Sequence, residues 1–167
     1  MDKDERPLIS PEQSASQATQ LMMPGDVNNL GHVFGGVIIS LVDRAAAVTA
    51  MRHARGPCVT VSIDKVDFKE PIYSGELVTC SARINFVGKT SMEIGVTVVT
   101  EHPMTGVRRH TNDCFLTFVA VNKDGRPLRV PGLELSTEED KKRFAEGQRR
   151  RQARQELADE LGLAKQC

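Results

Sequence analysis

Asp43 has the strongest claim to chemistry in this chain. It lies inside a long apolar run, and on a helix its neighbours three and four positions away are Ile39, Ser40, Ala46 and Ala47. A carboxylate on such a face is costly unless it is paired or hydrogen-bonded. Two readings follow. The side chain meets an arginine, or turns to solvent beside Arg44. Alternatively it works as a general base or nucleophile in a partly desolvated cleft. Upstream, the stretch Asp26–His32 is dense in side chains that bond backbone, Asn28 among them. It reads as a structural Asx turn, or as an Asn presented at the mouth of a cleft to orient a water or a carbonyl. Phe34-Gly35-Gly36 precedes the helix. Amide groups of Gly35, Gly36 and Val37 at a helix N-terminus are suited to polarise a carbonyl or hold an anion. The plain alternative is a flexible cap. No Gly-Lys-Ser/Thr follows, so this is not a Walker phosphate loop. The four histidines (His32, His53, His102, His110) show no metal-ligand spacing, and no metal site is expected.

These residues need a frame. A short strand is expected at Thr19–Met23, then a break at Pro24-Gly25-Asp26. The apolar run predicts a helix from Val37 to Arg52 or His53, ended by Gly56-Pro57. Its small residues, Ala45, Ala46, Ala47 and Ala50, permit close approach by a neighbour. From Val59 the period drops to two, with a phase shift that suggests a bulge near Asp64-Lys65. Further alternations run over Val78–Phe86, Met92–Val98 and Asn112–Val121. Short turns join them, Gly88-Lys89 being the tightest. One apolar helix followed by about four hairpin-linked strands gives an antiparallel sheet. The sheet must cover a face, and this is the only strongly apolar helix. The expected class is therefore α+β: a curved antiparallel sheet wrapped around one long helix, the hotdog shape. Such a layer leaves an open edge, which a second copy would bury.

Three stretches result: an N-terminal arm at 1–17, the central domain at 18–132 and a helical extension at 133–167. The helix of this extension should begin at Ser136, with Glu139 completing a capping box. It carries a basic run at 141–154 flanked by acidic residues, read as a solvated, salt-bridged helix. A secondary reading has some of these bases meeting phosphates of a nucleotide-bearing ligand.

Composition narrows the function. The 167 residues carry 22 basic and 22 acidic side chains, and a neutral chain gives no reason to expect nucleic acid as partner. Aromatics make up 4%, too few for a base-stacking surface. The apolar run Val37–Ala50 falls short of the ~20 residues of a membrane span and contains Asp43 and Arg44. Cys58, Cys80, Cys114 and Cys167 form no Cys-x-x-Cys pair, and the first residues are charged and polar. A cytoplasmic protein with reduced thiols and no membrane association is expected.

The run Met23–Gly36, with Asp43 seven residues on, resembles the hotdog acyl-CoA thioesterases. The nearest group is the small bacterial acyl-CoA hydrolases of the YciA type and their eukaryotic brain acyl-CoA hydrolase relatives. The pattern is Pro-x-Asp-x-Asn-x-x-Gly-x-x-Phe-Gly-Gly followed by Asp on the helix. Val59–Ser62, Val66–Ile72, Val87–Glu93, Phe118–Val121 and the Asp124-Gly125 turn also fit, so the resemblance covers about residues 18–132. It implies hydrolysis of acyl-CoA to a free acid and CoA, with no cofactor, since CoA is part of the substrate. It implies a catalytic pair of Asn28 and Asp43, supplied by different protomers of a dimer, and assembly of dimers into a hexamer. Gly35, Gly36 and Val37 would polarise the thioester carbonyl, and Thr60 would contribute a hydroxyl. The turn Gly88-Lys89-Thr90-Ser91 would hold the CoA nucleotide. Two other readings are kept: a hotdog dehydratase acting on acyl thioesters, for which His32 is the nearest histidine, and a protein that binds acyl-CoA without turnover.

Overall fold

The computed structural model describes residues 6–163. The elements, in order, are β1 (Leu8–Ile9), α1 (Pro11–Ser14), β2 (Ser16–Leu21), α2 (Gly35–Ala54), β3 (Cys58–Ile63), β4 (Leu77–Val87), β5 (Ser91–Glu101), β6 (Arg108–Ala120), β7 (Gly132–Leu133) and α3 (Glu138–Glu160). The five longer strands form one antiparallel sheet in the order β2-β4-β5-β6-β3. The sheet curls into a half-barrel around α2, which touches all five strands. This is the hotdog architecture that the alternation of periods predicts, but hairpins join only β4, β5 and β6: β3 pairs with β6, and residues 64–76 separate it from β4.

α2 buries Ile38, Leu41, Val42, Ala45, Ala46 and Ala50 against Val78, Cys80, Ile84, Ile94, Val96, Val98, Leu116 and Phe118 of the sheet. Each fully buried Leu or Ile contributes about 1.5–3 kcal/mol. The alanines add little area but let the strands come close. α2 starts two residues before the expected Val37 and ends at Arg55, whose φ of 54° is left-handed. At its start, a side chain on Gly35 would bring a Cβ to 3.0 Å from the Phe68 ring. Glycine there lets Phe68 cover the first turn.

Several expectations need correction, beginning with the first strand, which runs over Ser16–Leu21 rather than Thr19–Met23. The bulge in β3 lies between Thr60 and Ser62, not at Asp64-Lys65. Val66–Phe68 forms no strand. Residues 8–17 are not a detached arm: β1 pairs with β7, and β2 extends the sheet edge beside β4. The cap of α3 is Thr137 with Asp140, one residue later than Ser136 with Glu139; each backbone N–H bonds the other's side chain at 3.0–3.1 Å. Residues 1–5 and 164–167, with Cys167, lie outside the described residues; Cys58, Cys80 and Cys114 are free thiols.

α3 is docked on the sheet's other face rather than solvated. Glu93 is 2% exposed and takes bonds from Arg150 at 2.7 Å and Arg154 at 3.2 Å; Arg154 also reaches Asp64 at 2.7 Å. A carboxylate this buried is costly when unpaired. Arg150 stacks over Phe115 at 3.8 Å. Gly147 makes the approach possible, since a Cβ there would lie 2.7 Å from Phe86 Cβ.

His53 ties the N-terminal elements to the core. It is fully buried; its Nε2–H donates to the Pro131 carbonyl at 3.0 Å, and its Nδ1 accepts from the Ser14 hydroxyl at 3.1 Å. Burial pushes its pKa below the usual 6.5, the Pro131 bond opposes this, and Arg55 adds to the lowering. The unfolded chain therefore takes up this proton more readily, and stability falls as pH drops below about 6.5. Denaturant midpoints at pH 7.5 and 5.0 should differ less for His53→Gln than for the native chain.

Candidate active site

Asp43 sits on α2, half-buried, two turns from the helix start. β3 follows α2 directly and returns along it, which brings Thr60 against Asp43: the Thr60 hydroxyl donates to Asp43 Oδ1 at 2.8 Å. No other described side chain bonds this carboxylate. It is not paired with an arginine, so one oxygen is fixed and the other is open. Among the described residues β3 pairs with β6 alone, and its outer edge carries no strand. Val48 and Met51 of α2 and Val59 and Ile63 of β3 are exposed on these two elements.

Asn28 closes its own loop. Its side-chain carbonyl accepts the amides of Leu30 at 2.9 Å and His32 at 3.1 Å, and its backbone N–H bonds the His32 carbonyl at 2.8 Å. The carbonyl end of the carboxamide is thus committed, and the NH2 end has no partner among the described residues. Asn28 can serve as a hydrogen-bond donor only. His32 packs edge-on to Tyr73, with ring centroids 5.3 Å apart.

At the N-terminus of α2, the Val37 amide bonds the Phe34 carbonyl at 3.0 Å. The expected trio of free amides narrows to Gly35 and Gly36, which have no intrahelical partner at these positions. Asp43 is eight residues beyond Gly35, about 12 Å along the axis at about 1.5 Å per residue. A single carbonyl needs donor and base both within about 3 Å. One α2 cannot supply both.

The Gly88–Ser91 turn joins β4 to β5. Thr60 faces Phe118, which faces Met92, in the strand register. The turn therefore lies at the same end of the sheet as Thr60, two strand spacings or about 10 Å away. Its backbone is wired inward: Lys89 O accepts Val130 N at 3.0 Å, Thr90 O accepts Ala120 N at 3.2 Å, and Gly88 O accepts Arg6 at 2.5 Å. The Lys89 side chain is exposed. Two concavities of about 810 and 520 Å³ lie beneath α3 on the opposite face of the sheet; neither is lined by Asn28, Asp43 or Thr60. Among the described residues, no three His, Cys, Asp or Glu side chains gather to hold a metal ion.

Arg109, Glu70 and Glu76 form an ion cluster under the loop that follows β3. Sequence reasoning passed over them. The available signal was an acidic residue on each side of the Pro71–Gly75 turn.

The model of the Thioesterase superfamily matches residues 30–107, so it spans the Asn28 loop's end, α2, β3 and the first hairpin. An acyl-CoA thioester hydrolase of Bacillus subtilis, YkhA, is 39% identical over 88% of this chain and 90% of its own. The cytosolic acyl coenzyme A thioester hydrolase of Rattus norvegicus is 36% identical over 87% of this chain, which spans only 40% of that protein. A crystal structure of an apo-hexameric acyl-CoA thioesterase superposes with a TM-score of 0.87, at 39% identity over 91% of this chain and 97% of that one. An acyl-CoA hydrolase of Staphylococcus aureus, in complex with butyryl coenzyme A, coenzyme A and coenzyme A disulfide, gives 0.83 at 30% identity over 93% and 96%. Structures of that enzyme with single Asp→Ala, Asn→Ala and Thr→Ala changes match as well.

The chain belongs to the hotdog thioesterase superfamily. Within it, the relatives that match over nearly its whole length carry the name acyl-CoA thioester hydrolase or acyl-CoA thioesterase. Among the described residues no helix is long and apolar enough to cross a membrane.

Proposed function

We propose that the protein hydrolyses acyl-CoA thioesters to a free carboxylic acid and CoA, in a site shared by two copies of the chain. The observation that carries this is the Asp43 carboxylate: unpaired, held by Thr60 on one oxygen, and set beside a free sheet edge. The residue types changed in the S. aureus relative are the three types singled out here, Asp, Asn and Thr.

The helix arithmetic explains why two copies are needed. Asn28 and the Gly35–Gly36 amides belong to one end of α2, and Asp43 lies two turns away. A two-fold partner places its own Asp43 and Thr60 at that end. The partner also covers the exposed apolar residues of α2 and the open edge of β3. Further association of dimers gives a hexamer, in keeping with the hexameric neighbour. The name of the rat relative supports the cytoplasm as the place of action.

In this site the open Asp43 oxygen takes a proton from a water as that water attacks the thioester carbon. The oxyanion is met by the amides of Gly35 and Gly36 and by the Asn28 NH2. Collapse breaks the C–S bond and expels the CoA thiolate, a fair leaving group because a thiol ionises near pH 8.5. Direct attack by Asp43 would give an anhydride that water then cleaves. Both routes need the same carboxylate, and neither needs a cofactor. The Gly88-Lys89-Thr90-Ser91 turn holds the nucleotide end of CoA, with Lys89 near the phosphates. The base in this reading is the Asp43 carboxylate rather than His32, which sets it apart from a dehydratase.

Incubation with acetyl-, butyryl- and palmitoyl-CoA, followed by a thiol reagent, should release one thiol per thioester consumed. Binding without thiol release would instead make the protein an acyl-CoA sensor.

A further inference from the structure

We infer that Arg109, on β6, is the positioning residue for Asn28, acting through Glu76. This rests on the role proposed above for Asn28.

The chain of contacts is continuous. On β6, one Arg109 nitrogen bonds both Glu76 oxygens, at 2.7 and 2.9 Å; the other bonds Glu70 at 2.7 Å and the Pro71 carbonyl at 3.3 Å. Glu76 is 6% exposed, and it also accepts the Tyr73 amide at 2.9 Å. The planar guanidinium forks across two carboxylates, one nitrogen on Glu76 and the other on Glu70, and so sets their relative position as well as their charge. The segment from Glu70 to Glu76 is thereby pinned at both ends by one cation.

The Asn28 loop hangs on that segment. The Val33 amide bonds the Ile72 carbonyl at 2.7 Å, and His32 bridges Tyr73 in backbone register, with the two rings in contact. The His32 amide in turn donates to Asn28 Oδ1, and the His32 carbonyl accepts from the Asn28 backbone N–H. These last bonds commit the Asn28 carbonyl and leave its NH2 as the working end. Among the described residues the loop's other anchors are backbone contacts at its own foot, the Phe34 amide on the Asp26 carbonyl at 2.9 Å and the bridge between Val27 and Val33. Met22 holds the Gly75–Glu76 backbone, and among the described residues Arg109 is the cation that fixes the Glu70 and Glu76 side chains, so its loss loosens the turn between them. Arg109 touches no substrate in this account. Its part is to keep the Asn28 NH2 within the narrow range where it meets the oxyanion, and a displacement of about 1 Å costs up to about a hundred-fold in rate.

The test combines kinetics with amide exchange on the full-length protein. In Arg109→Ala, kcat with an acyl-CoA should fall about ten- to a hundred-fold with KM within about two-fold. Arg109→Lys keeps the charge but not the fork, and should recover part of the loss. Backbone hydrogen exchange at Leu30 and His32, the two amides bound to Asn28 Oδ1, should accelerate in Arg109→Ala. In an Asn28→Ala background, Arg109→Ala should lower kcat no further. Multiplicative losses, a change confined to KM, or unaltered exchange at Leu30 and His32 would overturn the assignment. Should Arg109→Ala fold poorly, the same readouts on Arg109→Lys decide it. If exchange accelerates while Asn28→Ala leaves kcat intact, the clamp stands and the catalytic reading of Asn28 falls.

Discussion

Asp43→Asn should lower kcat for acyl-CoA hydrolysis by about 10³-fold, within the range of general acid–base catalysis, and leave the unfolding midpoint nearly unchanged. The substitution keeps the size of the side chain and an oxygen to accept from Thr60. It removes only the negative charge, which both the base and the nucleophile routes require. Thr60→Val should cost less, about ten-fold, the worth of one hydrogen bond to a charged group. The order of these two losses matters more than their size. Thr60 acts by fixing one oxygen of Asp43, so it has nothing to add once the charge is gone. A Thr60→Val loss as large as that of Asp43→Asn would move the chemistry from the carboxylate to the hydroxyl.

Much of the fold was legible in the sequence because two periods dominate it. The apolar run around Asp43 could only be a buried helix, and the alternations over Val78–Phe86 and Met92–Val98 could only be strands. The remainder depends on contacts that periodicity does not encode. Leu8 and Ile9 make a strand only because Gly132 and Leu133 lie beside them. Thr137 and Asp140 cap α3 in place of Ser136 and Glu139 because Asp140 is buried against Arg83, a contact that spacing does not encode. The basic run of α3 reads as solvated because its buried partner, Glu93, occupies a polar position of an alternating strand and gives no sign of its 2% exposure. Around the site, the sequence supplies the types Asp43, Asn28, Gly35 and Gly36. It does not show that Val37's amide is already used, or that Asn28 offers only its NH2 end. The Arg109 cluster was invisible for the same reason as Glu93: three charged residues from separate segments meet only in the fold.

The two-copy site is the central claim, and mixing two inactive variants tests it. Asn28→Ala and Asp43→Asn chains, each nearly inactive alone, are unfolded together and refolded in equal amounts. Each site takes Asn28 from one chain and Asp43 from the other. A mixed dimer therefore concentrates both lesions in one site and leaves the other intact. With random pairing half the dimers are mixed, so about a quarter of native thiol release should return. Were both residues drawn from the same chain, every site would keep one lesion, and the mixture would be as inactive as its parts.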